Sequence, residues 1–219
     1  MQKFLKILEK CALFDQIAPE NLTALLGCLG AKTASFEKSF TVMAEGTPAH
    51  YIGIVLSGSV QLVQVDFYGN RSIIAHAEQG DLFAEAFACA GIPRIPLRII
   101  ADTDCEILYI DSRRIVSACS NACSFHQQII FNLMKTLANK NILFHQKIEI
   151  TSKRTTREKL MAYLMVQAKK HGSNRFTIPF DRQALADYLE VDRSGLSAEI
   201  SKLRKEGVLL SDKKQFELL

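Results

Sequence analysis

The segment 181–208 carries side chains that are suited to reading DNA. Its second half predicts a helix that begins after Asp192, a good N-cap residue, and that follows a short turn at Glu190-Val191. The outward face of this helix would present hydrogen-bonding and cationic groups: Arg193, Ser194, Ser197, Ser201, Lys202 and Lys205. Guanidinium and hydroxyl groups can hydrogen-bond to base edges, and ammonium groups neutralise phosphates. The pattern therefore predicts a DNA-recognition helix.

Two rows of apolar residues indicate how this helix is held in place. The first row, on the preceding helix, is Leu185, Ala186 and Leu189. The second, on the recognition helix, is Leu196, Ile200 and Leu203. This arrangement is typical of a helix-turn-helix, in which the N-terminal residues of the second helix enter the major groove most deeply. We therefore expect Arg193 to contact guanine, with Ser194 and Ser197 as secondary base contacts. An ordinary helical hairpin with a solvated polar face is the alternative.

The charges of the chain are segregated. Residues 1–111 contain 8 Lys and Arg against 13 Asp and Glu, whereas residues 112–219 contain 19 against 10. The first part is therefore net −5 and the second +9, which the overall charge of +4 conceals. A basic part beside an acidic one indicates one nucleic-acid-binding module and one module with another role. Phosphate neutralisation predicts DNA binding that weakens steeply with salt.

Length and composition indicate two domains. A chain of 219 residues with 48% hydrophobic content can form one domain of about 110 to 150 residues and a smaller one. No apolar run approaches the roughly 18 residues that span a membrane, and Lys6, Glu9 and Lys10 interrupt the N-terminal apolar stretch. The six cysteines lack the spacing of a disulfide framework. We therefore expect a cytoplasmic protein with reduced thiols and no membrane partner.

The first half has the pattern of an all-β barrel. Gly46, Gly58, Gly69 and Gly80 recur about every eleven residues, with segments of high β propensity between them. The predicted strands are 51–56, 60–65 and 72–77, followed by 97–101 and 106–110. Short strands with turn signals at this spacing are typical of a sandwich or jelly roll. We expect this part to be a sensor domain.

A heptad row of residues predicts a long helix between the barrel and the DNA-binding region. Its members, at alternating steps of four and three, are Ile130, Met134, Leu137, Asn141, Phe144 and Ile148. Such a row favours a two-stranded coiled coil, in which a buried Asn141 would fix the register of a dimer. A helix that lays the same row on its own barrel is the alternative. The pattern ends near 151–154, where we expect a hinge between the dimerisation region 112–150 and the DNA-binding domain 151–219.

The order of barrel, helix and helix-turn-helix resembles the Crp-Fnr family of bacterial transcription regulators over essentially the whole chain. The matching motifs are Gly58-Ser59-Val60, Gly80-Asp81-Leu82-Phe83, Asp104-Cys105-Glu106-Ile107 after Ala101, and Asp181-Arg182-Gln183 leading into Arg193-Ser194. The resemblance implies an α+β protein. Its parts would be an N-terminal jelly-roll (double-stranded β-helix) effector domain at 1–111, a dimerisation helix and a C-terminal winged helix-turn-helix.

The resemblance also implies DNA contacts and partners. Arg193 and Ser194 lie at the family's base-reading positions, and Arg182 lies at a backbone-contacting one. The wing would consist of 208–210 and 216–218, with Lys213 and Lys214 as phosphate contacts at its tip. At Ala198 the chain departs from the many relatives that carry a further arginine. The implied partners are an inverted-repeat operator, a second copy of the chain and RNA polymerase.

The effector pocket departs further from the family pattern. Relatives that bind cyclic AMP carry Gly-Glu-Leu and, about ten residues later, Arg-Ser-Ala, because a cyclic phosphate needs a guanidinium fork and a hydroxyl. Here the two segments are Ala84-Glu85-Ala86 and Ile95-Pro96-Leu97, so the acid is kept and the phosphate ligands are lost. Charge-assisted contacts of that kind are worth about 1.5 to 3 kcal/mol each. Arg94 and Arg98 flank the second segment. We expect an unidentified small effector that is not a cyclic nucleotide.

The cysteines and histidines do not favour other sensing chemistries, and no cofactor and no metal is expected. Cys11 and Cys28 stand too far apart for the cysteine cluster of iron–sulfur relatives. Cys119 and Cys123, with His126 near them, could form a redox pair or a metal site, although buried structural cysteines are favoured. Haem ligation by one of His50, His76 and His126 is not favoured by lone histidines. A cyclic-AMP-responsive or redox-responsive regulator of the same fold is the alternative.

A jelly roll is also the scaffold of cupin metalloenzymes, which form a rival class. Their metal sites usually need two histidines one residue apart, and no His-x-His occurs in this chain. The basic second half would also have no role in such an enzyme. A regulatory module of a larger signalling protein is disfavoured because the chain already carries its own predicted output domain. We therefore predict a dimeric, sequence-specific transcription regulator and not an enzyme.

Overall fold

The computed structural model of the protein describes residues 4–116 and 124–219. Its helices there are α1 (Leu5–Leu8), α2 (Pro19–Cys28), α3 (Glu85–Ala90), α4 (Ser112–Val116), α5 (Ser124–Thr151), α6 (Thr156–His171), α7 (Arg182–Leu189) and α8 (Arg193–Lys205). Its strands there are β1 (Lys32–Phe36), β2 (Thr41–Met43), β3 (Tyr51–Ser57), β4 (Ser59–Val65), β5 (Arg71–Glu78), β6 (Leu82–Phe83), β7 (Arg98–Ala101), β8 (Cys105–Asp111), β9 (Arg175–Thr177), β10 (Leu209–Asp212) and β11 (Gln215–Leu218). The chain divides into two compact units, 1–69 with 74–141 and 70–73 with 142–219.

Strands β1 to β8 form two four-stranded sheets, in the orders β1-β8-β3-β6 and β2-β7-β4-β5. Strand β1 pairs with β8, β2 with β7 and β3 with β6, and β4 neighbours β5. The first strand thus pairs with the last and each following strand with the one before it from the other end, as in a long hairpin folded over on itself. This is jelly-roll topology, and the predicted α+β fold class is confirmed. The five predicted strands each agree with the observed ends to within one residue. The edge strand β1 was not predicted because it is largely exposed and has no apolar alternation.

Strand β3 is buried on both faces. Ile52, Ile54 and Leu56 belong to one apolar cluster, whereas Val55 belongs to another. The first cluster includes residues of α2 and Ile129 and Leu133 of α5, and the second lies between the two sheets. A strand covered on both sides needs a continuous apolar run, which explains the segment Ile-Gly-Ile-Val-Leu.

The turn between β3 and β4 depends on a glycine. Gly58 has φ +73°, and a Cβ atom there would lie 2.1 Å from the carbonyl oxygen of Asp104. The neighbouring Ser59 amide donates to the Thr103 hydroxyl at 3.0 Å, so the turn and the 102–104 loop are held together. Any side chain at position 58 would force these two loops apart.

We expect Gly58→Ala to destabilise the protein more than Gly69→Ala does. Both glycines have positive φ, but nothing lies within 4 Å of the Cβ position at Gly69. In the control, Gly69→Ala, the free energy of unfolding should therefore fall by only about 1 to 2 kcal/mol, the cost of placing alanine in the left-handed conformation. In Gly58→Ala it should fall by at least about 3 kcal/mol, because the clash with the Asp104 carbonyl is added. Urea unfolding of the two variants measures this difference, and equal losses would contradict the role of the clash.

The second unit contains a winged helix-turn-helix. Helices α6, α7 and α8 pack together beside the three-stranded sheet β10-β11-β9. The predicted inward residues Leu185, Ala186, Leu189, Leu196, Ile200 and Leu203 are all buried. Helix α6 begins with a capping box, in which Thr155 and Glu158 each accept from the other's backbone amide. The short strand β9 was not predicted because its three residues carry one buried side chain, Phe176.

The predicted boundaries at 111 and 150 stay predictions. Helix α5 ends at Thr151 and α6 begins at Thr156, on either side of the residues where the hinge is expected. None of the helices in the described ranges is long and apolar enough to cross a membrane.

Candidate nucleic-acid interface and effector site

The first turn of α8 is fixed by its N-cap. The Asp192 carboxylate accepts from the Gly195 amide at 2.8 Å and from the Ser194 hydroxyl. These two bonds, the hydroxyl first, lower the pKa of Asp192, so the cap is ionised at neutral pH. Glu190 closes the preceding helix in the left-handed conformation, with φ 55°. The predicted turn and cap therefore hold Arg193 at the exposed start of the helix.

The side chains on the outer face of α8 differ in how free they are. Arg193, Ser194, Ser201, Lys202 and Lys205 are exposed, and Ser197 is half-buried. The Ser201 hydroxyl donates to the Ser197 carbonyl at 2.9 Å, and the Ser194 hydroxyl donates to the cap. Within the described ranges Arg193 has no ion-pair partner. Among the described residues, its guanidinium is thus a donor group of the first turn without an ion-pair partner.

Two carboxylates on α8 are held by one arginine that the sequence did not single out. Arg157 of α6 lies 2.6 Å from the Glu206 carboxylate and 3.5 Å from that of Glu199. The bond from Arg157 lowers the pKa of Glu206. Exposed ion pairs add little stability. Here, however, they neutralise the two carboxylates, so that these do not offset the positive charge on the outer face of α8. No sequence signal marks this contact, because Arg157 and Glu199 are 42 residues apart.

The wing is the hairpin of β10 and β11. Its two-residue turn is Lys213-Lys214, with Lys213 in the left-handed conformation at φ 49°. Lys214 donates to the Pro179 carbonyl at 2.6 Å, whereas the exposed Lys213 makes no such bond within the described residues. Of the two predicted phosphate contacts, Lys213 is therefore the freer one.

Arg182 is placed at the start of α7 and is half-buried. Its guanidinium lies over the Phe216 ring, 5.8 Å from the centroid. One of its terminal nitrogens is buried and has no hydrogen-bond partner among the described residues. Burial, followed by the nearby Arg204 charge, lowers the pKa of the guanidinium, which nevertheless stays charged in proteins.

Glu85, the acid kept in the effector segment, is buried at the start of α3 and is only 3% exposed. Ala84 before it takes the left-handed conformation, and Ala86 is exposed. Lys140 of α5 lies 2.8 Å from Glu85 Oε1 and also donates to the Leu82 carbonyl at 2.5 Å. Glu85 Oε2 has no hydrogen-bond partner within the described ranges. The acid is therefore already paired with a lysine of the long helix.

The two flanking arginines differ. The Arg94 guanidinium donates to the Gly46 carbonyl at 2.7 Å, whereas Arg98 is an exposed residue at the start of β7, where its backbone pairs with that of Val63. Pro96 is exposed between the buried Ile95 and Leu97. In the described chain no ion pair joins either arginine to Glu85. The predicted set of effector contacts around Glu85 therefore stays a prediction.

The heptad row is mostly exposed on the single chain. Ile148 is 63% exposed and Met134 59%, and Ile130 and Phe144 are exposed as well. Leu137 is partly buried against the apolar cluster beneath α5, and Asn141 is exposed. One chain therefore covers Leu137 and leaves most of the row uncovered.

The remaining candidate ligands lie apart. Cys11 is buried, Cys28 is exposed, and Cys119 and Cys123 lie outside the described residues. His76 lies 3.3 Å from the Asp102 carboxylate, and His126 lies 3.3 Å from the Arg114 carbonyl. His50 packs against Tyr51. No group of three potential metal ligands occurs in the part of the chain that the structure describes.

Two family models match the chain in succession. Residues 33–122 match the cyclic nucleotide-binding domain, and residues 158–219 match the Crp-like helix-turn-helix domain. The chain belongs to the Crp-Fnr family. This confirms the predicted resemblance, and the family consists of transcription regulators and not of enzymes. No curated protein matches this Crp-Fnr chain at a significant level.

Several solved structures share the fold of this Crp-Fnr protein. FixK2 from Bradyrhizobium japonicum is 22% identical over 86% of this chain and 92% of its own, with a TM-score of 0.68. CLP from Xanthomonas campestris, described as a c-di-GMP responsive global regulator, is 16% identical over 92% and 99%, with a TM-score of 0.75. A CooA mutant from Carboxydothermus hydrogenoformans is 19% identical over 89% and 85%, with a TM-score of 0.71. At these identities the likeness shows the common fold.

We expect Cys11 of this Crp-Fnr protein to resist alkylation while Cys28 reacts. Burial raises the pKa of the Cys11 thiol to about 11, so little thiolate forms at pH 8, and only 1% of the residue is exposed. Iodoacetamide at pH 8, followed by peptide mass spectrometry, should modify Cys28 at least about tenfold faster. Protein unfolded in guanidinium is the control and should react at both sites. Equal rates in the folded protein would contradict the burial of the Cys11 thiol.

Proposed function

We propose that the protein is a sequence-specific DNA-binding transcription regulator that places α8 in the major groove. The observation that carries this proposal is the first turn of α8, where an ionised Asp192 cap presents the unengaged guanidinium of Arg193. Ser194 and Ser197 lie beside it as secondary base contacts, and Ser201, Lys202 and Lys205 continue the outer face. Arg182, half-buried at the start of α7, would contact a DNA phosphate. Lys213 and Lys214 would contact the backbone from the wing.

The exposed heptad row supports a homodimer. Apolar side chains such as Met134 and Ile148, repeated every three and four residues, are covered when a second α5 packs against the first. Asn141 would then lie within the coiled coil and fix its register. Two recognition helices related by a two-fold axis would read an inverted repeat with half-sites about 34 Å apart. The cytoplasm, where the chromosome lies, is the compartment that this function requires, and RNA polymerase is a further proposed partner.

The effector is proposed to be a small molecule that is not a cyclic nucleotide. A cyclic phosphate needs charge-assisted donors. The 95–97 segment itself carries none, and of the two arginines beside it Arg94 donates to the Gly46 carbonyl. Glu85 is neutralised by Lys140, so a ligand that reaches the acid must supply a donor in place of the ammonium. The segments around Ala84, Ala86 and Pro96 would form the rim of this site. The c-di-GMP response of CLP belongs to that protein.

Selection of bound duplexes from a random DNA pool tests the function. The protein at physiological salt should enrich an inverted repeat, because the affinity for a specific site exceeds the affinity for non-specific DNA by several orders of magnitude. Cyclic AMP added to the selection should leave the enrichment unchanged. A pool that gains sequence preference only with cyclic AMP would support the cyclic-nucleotide-responsive alternative instead. No enrichment either with or without cyclic AMP would contradict sequence-specific binding by the effector-free protein.

Substitution of Arg193 should relax specificity. Arg193→Ala should weaken binding to the enriched site by roughly 5- to 150-fold and lose preference at one position in each half-site. Lys205→Ala is the matched comparison, because a phosphate contact carries no sequence information. It should weaken all duplexes equally and reduce the salt slope by about 1. Fluorescence anisotropy over a series of salt concentrations measures both. Unchanged specificity in the Arg193 variant would rule out its base contact.

A charge in the heptad row should break the proposed dimer. Wild-type protein should sediment at about twice the chain mass of 24.5 kDa. Ile148→Glu should shift it to the monomer, because the exposed isoleucine would otherwise be buried against its counterpart. Gln146→Glu adds the same charge two residues away, off the row, and should remain dimeric. Analytical ultracentrifugation separates the two masses, and a dimeric Ile148→Glu would place the interface elsewhere.

A further inference from the structure

Three lysines converge on one cleft of the first unit. Lys6 and Lys10 come from the N-terminal segment and Lys140 from α5. The cleft has a volume of about 330 Å³ and is completed by Gln79 and Asp81, in the turn before β6, together with Thr136 and apolar neighbours. We call it the lysine cleft. Apart from Thr136 and Lys140, its lining comes from residues 1–111, a part of the chain with a net negative charge.

The lysine cleft has more positive charge than its own acid can neutralise. Asp81 is the acidic residue in its lining, and one of its carboxylate oxygens already accepts from the Glu78 amide at 2.9 Å. Lys6 and Lys10 form no ion pair within the described residues. Three ammonium groups against two carboxylates, that of Asp81 and that of Glu85 paired with Lys140, leave a local charge of about +1. A compact anion with two or more negative charges can contact all three ammonium groups at once.

Lys140 connects this cleft with the buried acid. Its ammonium group is shared between the Leu82 carbonyl and Glu85 Oε1. The second carboxylate oxygen of Glu85 is buried and has no hydrogen-bond partner in the described chain. Glu85 is therefore only partly satisfied, and it competes for Lys140 with anything anionic that enters the cleft.

We propose that the lysine cleft binds a compact small anion with two or more negative charges through Lys6, Lys10 and Lys140. A phosphorylated metabolite and a di- or tricarboxylate share this chemistry. Binding there draws Lys140 away from Glu85, so the anion and the buried carboxylate oppose each other. This inference goes beyond the proposed function, because it concerns the first unit and requires no DNA binding.

The test is calorimetric titration of the full chain with pyrophosphate and with citrate at constant ionic strength. At least one of them should bind saturably with one anion per chain. The double variant Lys6→Gln/Lys10→Gln should weaken binding at least tenfold. Lys32→Gln removes an exposed lysine that does not line the cleft, and it should bind as wild type does. Pyrophosphate alone would indicate a phosphate ligand, citrate alone a carboxylate ligand.

Two results would overturn the proposal. The first is anion binding that the double variant keeps and that Arg193→Ala abolishes, because the anion would then occupy the DNA-binding surface. The second is the absence of saturable binding by either anion. Glu85→Gln tests the competition separately and should tighten anion binding several-fold, since the opposing carboxylate charge is gone. Unchanged affinity in that variant would overturn the coupling through Lys140.

Discussion

Burial of β3 and β8 on both faces is the constraint on which the first unit depends. One face of the pair must be covered by the opposing sheet and the other by helices, because an uncovered apolar sheet face would be exposed to water. Ile129 and Leu133 of α5 supply part of that cover, together with the residues of α2. The packing that buries the sheet therefore also fixes the side of α5 that faces the barrel. The opposite side, with Ile130 and Met134, is left exposed.

Much of the fold could be predicted from the sequence, because its main strands and helices carry strong apolar periodicity. Strands β3, β4, β5, β7 and β8, the two helices of the helix-turn-helix and the Asp192 cap follow from local pattern alone. Strands β1, β2, β6 and β9 do not, because β1 is an exposed edge and the other three have only two or three residues. Their strand conformation comes from pairing with β8, β7, β3 and β11 respectively, which no local window contains.

The sites were less predictable because their contacts join distant residues. Glu85 was expected to face an effector, but its pairing with Lys140 depends on how α5 lies against the barrel. Arg157 neutralises two carboxylates of α8 from another helix. The resemblance predicts that Arg182 contacts a phosphate. Its packing on the Phe216 ring could not be predicted, because it depends on how the wing folds. Periodicity records which side of an element is buried. It does not record which charged groups meet.

The doubly buried strand pair also separates stability from ligand chemistry. Because β3 and β8 carry apolar side chains on both faces, polar groups for a ligand must come from the rim of the barrel. This rim consists of the β6–α3 junction, the 94–98 segment and α5. Exposed residues at the rim, such as Ala86, Pro96 and Arg98, can change without opening a cavity in the core, whereas Ile95 and Leu97 belong to the core itself. The ligand that such a barrel binds can thus differ between related proteins while the core packing stays the same. A glutamate at position 85 therefore does not by itself identify the ligand.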